Sequence, residues 1–579
     1  MDRVKLKIVS VCASIVSVAM GIRFAYSADV YYLGQSSGSA AQSEKNPSYT
    51  VSERFHDLWD FSSGRKYPDR SGKISGNFVQ ELDWQDVSGN TAKSFLERGT
   101  DYLTELNLNL QEKIGGDYNF EGQGFLRKTD NRRIETNKGL RLEQLNLKVL
   151  NPRDLFEFGD FYADFSQFVL SSSLEGFNLE LAPEVSRKYH FLLARKNRAD
   201  VTAEKFQRNA LGMKGDFHLF ENSQIFSDFR LGLQVVTVQD DNSTIERSAN
   251  AKDLSNTVTS IDGEVVLRKI FSLQYELARS GYIQDEYVSH NQQSGTALRL
   301  VPAFNFDRLR LRYLYYYVQP KFYTEAGSAS PDKIQHQLTL DYRVSDKASI
   351  NFVENYYWDH LTGSSLTKRT TNNEKYLNWL LRPFEGRKDF TLRPYLNYLV
   401  KNSDDDINSA ESKTKTVGFG INDTLNDKTS YGLSYEYRAF VDEANKSSSD
   451  YFNRIGFNLG HEQQFLARRL YYSFNQSLDI RNTKTDDDQD LNLGISFNGQ
   501  YDMTKAALLR FGHNFQDTNS AAPGSDFVNN RSFLEFDFLL AEKRAAHLIL
   551  RAERNRYDHE NQSQEYNETR AIAKFVTNF

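Results

Sequence analysis

Residues 490–501, DLNLGISFNGQY, alternate without a break. Leu491, Leu493, Ile495, Phe497 and Tyr501 fall on one side of an extended chain, and Asn492, Gly494, Ser496, Asn498 and Gln500 fall on the other. The pattern recurs far away in the chain. Tyr102, Leu106, Leu108 and Leu110 oppose Glu105, Asn107, Asn109 and Gln111; Leu534, Phe536, Phe538 and Leu540 oppose Glu535 and Asp537. Leu309, Leu311, Tyr313, Tyr315 and Tyr317 oppose Arg308, Arg310 and Arg312. A period of two held this long specifies strands, because a helix needs apolar residues three and four apart. About ten residues is also what a tilted strand needs to cross a bilayer.

What separates these runs alternates in length. Short turns such as 151–154, 268–270, 344–347 and 502–505 exchange with longer polar stretches such as 241–255, 319–332, 402–412 and 517–528. Short turns at one end and long loops at the other describe an up-and-down antiparallel barrel. Counted from Lys73, the chain yields about 26 strands, within a range of 22–28. Composition agrees. Tyr and Phe number 32 and 41, while Gly outnumbers Pro 33 to 10. A mean hydropathy of −0.62 suits a wall in which only alternate residues meet lipid. The net charge is only −6, with 71 basic residues dispersed among 77 acidic ones, so no nucleic-acid surface is implied. Cys12 is the only cysteine. Disulfides and Cys-bound metals are thereby excluded from the chain after it.

The ends add direction. Arg3, Lys5 and Lys7 precede an uncharged apolar run, and Ala25 and Ser27 form a small-x-small site that would release a chain starting at Ala28. This is the order of a secretory signal peptide. Residues 28–72 are expected to be a partly disordered periplasmic segment, with a short helix carrying Phe55, Leu58, Trp59 and Phe61. The alternative for that segment is a plug or docking peptide. At the other end, Ala571, Ala573, Phe575 and Phe579 share one face of a last strand, with Arg570, Lys574 and Asn578 opposite. It is expected to close the barrel against a first strand near Lys73–Val87.

With its leader, its amphipathic strands and its terminal Phe579, the chain resembles the Gram-negative outer-membrane β-barrels of porin type. Thr577 departs from that class, where a larger apolar residue is usual. The resemblance implies an outer-membrane location, lipid as the outer partner, and a C-terminal signal at Phe575 and Phe579 for the barrel assembly machinery. The high strand number also resembles the barrel component of porin–cytochrome conduits, but their Cys-x-x-Cys is missing.

Candidate chemistry is sparse. Asp359–His360 and Asp558–His559 are neighbours that a strand would point to opposite faces, so neither suggests a catalytic dyad. No enzyme motif and no cofactor motif is present, and the acidic runs 404–406 and 486–488 read as solvated loops. Arg308, Arg310, Arg312, Glu535 and Asp537 are expected to line the lumen, largely paired across strands. Residues 158–176 break the alternation: Phe161, Tyr162, Phe165 and Phe168 are too apolar for a solvated loop. The segment either folds inward and narrows the lumen, with Asp160 and Asp164 at the constriction, or is an irregular strand with a bulge. Two functions follow. The first is a porin-like channel through which hydrophilic solutes diffuse; the second is a sleeve that encloses a periplasmic or lumenal partner, such as a multihaem cytochrome, or exports a polymer.

Overall fold

A computed structural model describes residues 73–579, except 116, 135–138, 201–202, 221–224, 247–251, 285–291, 362–368, 388, 405–408, 484–488, 521, 523 and 543–544. The leader, the segment before Lys73 and most of both acidic runs lie outside the described residues. The rest is one antiparallel sheet of 26 strands, from β1 (Lys73–Gly89) to β26 (Tyr566–Asn578), each pairing with its neighbours in sequence. Short 3-10 turns are the only helical elements among the described residues. Connections after most odd-numbered strands are longer, and after most even-numbered strands short. Arg268–Ile270 and Leu466–Ala467 are examples, and Arg268, Lys269, Leu466 and Ala467 all carry positive φ, between 47° and 59°. That left-handed backbone matches the twist of the flanking strands in a tight hairpin.

The sheet closes on itself. β1 and β26 pair from Asn77↔Asn578 to Gly89↔Tyr566, so no edge remains at this seam. Gly76 and Phe579 extend it by exchanging two backbone hydrogen bonds of 2.8 and 3.1 Å. A Cβ on Gly76 would lie 2.6 Å from Cζ of Phe579, so the terminal ring needs the space that glycine leaves. Phe575 meets Phe78 at 6.4 Å between ring centroids. On the opposite face Arg570 grips Asp83 at 2.6 Å and Lys574 reaches Glu81 at 3.1 Å.

The two faces of the wall differ as the period of two demands. Leu193, Leu211 and Leu277 are more than half exposed, whereas their neighbours Leu192, Ala210 and Ala278 are each 1% exposed. The exposed leucines belong to the outward face that lipid covers. The other face carries Lys214, Asp216, Gln234, Asp262 and Glu276 and looks into the lumen.

Candidate functional site

The barrel wall is interrupted at one place. β4 (Arg141–Leu150) and β5 (Leu155–Ser166) pair over only five residues, from Leu150↔Leu155 to Asn146↔Gly159. β6 (Leu170–Glu184) pairs with β7 (Arg187–Asn197) no higher than Glu175↔Arg195. Beyond these levels β5 and β6 stay paired with each other but leave the wall together. The bend lies at Gly159 and Gly176, which face each other across the hairpin. Gly159 has φ +105°, and a Cβ there would meet the carbonyl oxygen of Leu145 at 2.0 Å. Asp160 then turns back and accepts a hydrogen bond of 2.8 Å from the Leu145 N–H that β5 has abandoned.

The sequence requires this departure. Below Gly159, Phe156 and Phe158 take the outward positions of β5 and Glu157 is buried on the inward side. Above it the same outward positions are Asp160, Tyr162 and Asp164, and the inward ones are Phe161, Ala163 and Phe165. Continued in the wall, the strand would put two carboxylates into lipid, which is costly. Folded inward, Phe161, Phe165 and Phe168 are buried while Tyr162 and Asp164 are exposed. An inversion of parity is the signal that reading the sequence for hydrophobicity alone misses, and the hairpin also carries a register irregularity between Asp164 and Ser166 near its tip.

The hairpin lies against the inner faces of seven strands, β7 to β13 (Leu309–Val318), where the wall offers small residues: Ala194, Ala210, Val236, Val258, Ala278 and Ala297. Its tip is pinned by polar contacts. Glu276 of β11 (Phe271–Gln284) accepts from the Ser166 hydroxyl at 2.6 Å and the Phe168 N–H at 3.2 Å. Lys214 of β8 (Gln207–His218) donates to the Phe165 carbonyl at 2.6 Å. Residues 319–332, expected to be a plain polar loop, meet the tip from the other side. Phe168 packs on Phe322 and Tyr316 at 5.8 and 5.4 Å. The Ser171 N–H donates to the Ala326 carbonyl and Ser328 N–H to that of Gln167, at 2.8 and 2.9 Å.

Glu325 holds this loop to the wall. Lys196 and Arg208 each approach its carboxylate at 2.7 Å, and Tyr323 donates to it as well. Burial pushes the Glu325 carboxyl up, but the Lys196 and Tyr323 hydrogen bonds and the charge of Arg208 outweigh it and hold the group below the usual carboxylate range. A lowered folded pKa stabilises docking above the free value of 4.5 and loses that contribution as pH falls through the folded pKa. The protection factor of the backbone amides in residues 319–332, taken relative to their slower intrinsic exchange in acid, is therefore expected to fall as pH is lowered, and Glu325→Gln to be poorly protected already at neutral pH. A loop equally protected at both pH values, with the variant unchanged, would sink this assignment.

The other predicted residues are dispersed. Arg308 is exposed in the turn before β13, while Arg310 and Arg312 lie on the face of β13 shared with buried Tyr316 and Val318, thus toward the lumen. None of the three makes an ion pair within 4.0 Å among the described residues, contrary to the expected cross-strand pairing. That pairing is found far away, around β24 (Phe527–Ala541). There Arg510 reaches Glu535 at 2.6 Å and Asp537 at 3.5 Å, Arg551 reaches Glu535 at 3.3 Å, and His547 reaches Asp537 at 2.7 Å. The Asp–His pairs fall at strand ends, Asp359 closing β15 (Ala348–Asp359) and His559 closing β25 (Ala546–His559). Asp359 ends its strand and His360 follows with φ 53°, which brings the two side chains to 3.1 Å. Asp359 also accepts from the Thr370 N–H at 3.0 Å, the work of a loop cap.

No known protein family and no curated protein matches the chain. Solved structures similar to it include the P pilus usher translocation pore, PapC, at 10% identity and TM-score 0.33 over 87% of this chain and 98% of the other. The siderophore receptor PirA of Pseudomonas aeruginosa has 10% identity and TM-score 0.39, over 88% and 80%. OccK5 of the same organism has 10% identity and TM-score 0.27, over 88% and 98%. Likeness this low carries no weight for substrate or partner. Closure, outward apolar face and alternating turns and loops decide the class. The architecture is that of the outer-membrane β-barrels.

Proposed function

We propose that the barrel is an outer-membrane channel through which hydrophilic solutes diffuse, narrowed on one side by the β5–β6 hairpin. The leader would be cleaved before Ala28, and the strand ending in Phe575 and Phe579 would be read by the assembly machinery. One observation carries the proposal. Among the described residues, the buried cluster that anchors the hairpin takes members only from β5–β13 and the 319–332 loop, and none from β14 (Lys333–Ser345) to β26. Twenty-six tilted strands enclose a circle on the order of 50 Å across, too wide for wall side chains to fill. Among the described residues, nothing of the hairpin's buried cluster covers the polar face of β14–β26, and Asp164 of the hairpin is exposed. The charge network at Glu535 and Asp537 is internally neutralised, and Arg310 and Arg312 add local positive charge, so ion selectivity should be weak.

Planar-bilayer recordings of the purified protein test this. Discrete, weakly selective channels are the expected result. A silent protein that co-purifies with a periplasmic or coloured partner would overturn the channel and establish the sleeve, whose bore the same uncovered wall would also suit.

A further inference from the structure

On the outward face two charged groups stand where lipid would be. Glu354 and Lys375 are direct cross-strand partners on β15 and β16 (Arg369–Leu381). Their orientation follows from the register. Tyr316, packed on Phe168 of the hairpin, pairs with Gln335, Gln335 with Tyr357 and Tyr357 with Asn372, so this row faces the lumen. The register between β15 and β16 is unbroken, and Glu354 and Lys375 each lie three residues from that row, hence on the lipid side. Glu374, the neighbour of Lys375, faces the lumen and accepts a hydrogen bond of 2.9 Å from Asn397.

Both lie six residues from the short-turn ends of their strands. At the same distance elsewhere in the wall, the outward cross-strand row is Leu459 and Phe474. A charge facing hydrocarbon at this depth is costly. The two groups meet at 3.3 Å, yet their side chains stay 36% and 48% exposed, so each keeps an open side. Leu338 and Tyr398 flank the row in register and supply apolar surface on either side.

We propose that this row is the contact between two copies of the chain, related by a two-fold axis along the membrane normal. Such an axis keeps both barrels in one orientation and brings the same patch of each together. Glu354 and Lys375 lie side by side across the wall. The rotation therefore sets Glu354 against Lys375 of the second copy, and the reverse. Four charges then alternate around a square, out of the lipid. Strand tilt offsets the partners in height by about 3 Å, which these long side chains span. A three-fold ring would join two different patches, and this row would not meet itself. The proposal needs the outward face in lipid but not conduction, which a monomer and a dimer serve equally.

The test is the association state of the full barrel, by sedimentation equilibrium in a neutrally buoyant detergent. Wild type is expected to dimerise. Glu354→Lys leaves two positive charges in the row and Lys375→Glu two negative ones. Each variant alone should therefore dimerise about tenfold more weakly, the scale of polar contacts between membrane segments. Mixed in equal amounts, the two should recover the wild-type constant, because a positive row then faces a negative one. An ion pair that only joined two strands within one copy would gain nothing from mixing. The neutral double variant Glu354→Gln, Lys375→Met should also associate more weakly, and it decides the matter where a reversed variant does not assemble. A monomeric wild type, a trimer, or association only with a different chain overturns the proposal. So does a mixture no tighter than its components, or a neutral variant that dimerises as tightly as wild type.

Discussion

Replacing residues 160–175 by Asn-Gly is expected to raise single-channel conductance about 1.2-fold while the barrel still assembles. Gly159 and Gly176 already face each other across the hairpin, so a two-residue turn of this composition joins them without moving the strands below. The size of the effect follows from geometry. A sheet layer about 10 Å thick, laid along seven strands of a 26-strand wall, takes roughly a fifth of the cross-section. A single substitution should act through the same layer. Phe168 is fully buried between Phe322 and Tyr316, and truncating a buried Phe to Ala costs about 3–5 kcal/mol. Phe168→Ala is thus expected to flicker between a wild-type level and the level of the excised protein. Identical conductance in all three proteins would show that the hairpin does not bound the conducting path.

The second large effect is at the seam. Deleting Phe579 removes two backbone hydrogen bonds to Gly76 and a ring that is 47% exposed. Taking about 1 kcal/mol for each hydrogen bond and about half the burial of a Phe side chain, the seam loses roughly 3 kcal/mol. Since every strand is held by its neighbours, the loss falls on closure as a whole. The folded band on unheated gels should shrink sharply, and Gly76→Leu should reproduce the defect because no room is left for the ring. Phe579→Tyr should retain closure. Normal insertion of both the deletion and Gly76→Leu would refute this role for the terminal residue.

Strand identity and number were legible in the sequence because each strand states its two faces locally. DLNLGISFNGQY needs no partner to declare which side meets lipid. Turns were less legible. Leu466–Ala467 reverses the chain with positive φ at both residues and contains no Gly, Asn or Asp. Nothing local marks it, and no physical account of that choice is visible in its surroundings. The hairpin was half legible. Its apolar content stood out, yet its docking partners are Phe322 and Ala326, more than 150 residues on, and a loop recruited by tertiary contact leaves no periodic trace. The small wall residues Ala194, Ala210 and Ala278 were invisible for the same reason. An alanine on a strand reports a close neighbour only when that neighbour is known. The expected pairing of Arg310 and Arg312 failed because cross-strand register places residues side by side without fixing where long side chains end.

The glycine pair at the bend has a mechanical consequence. Every strand is paired with both neighbours toward the short-turn end of the barrel, but at the long-loop end the circuit is cut between β4 and β7. A complete hoop resists ovalisation because every strand spacing is fixed by its two neighbours, whereas a slit tube can change its section by widening or narrowing the slit alone. The two mouths should therefore differ in compliance: a stiff ring at one end, and at the other a rim whose outline can adjust without breaking a single ladder bond.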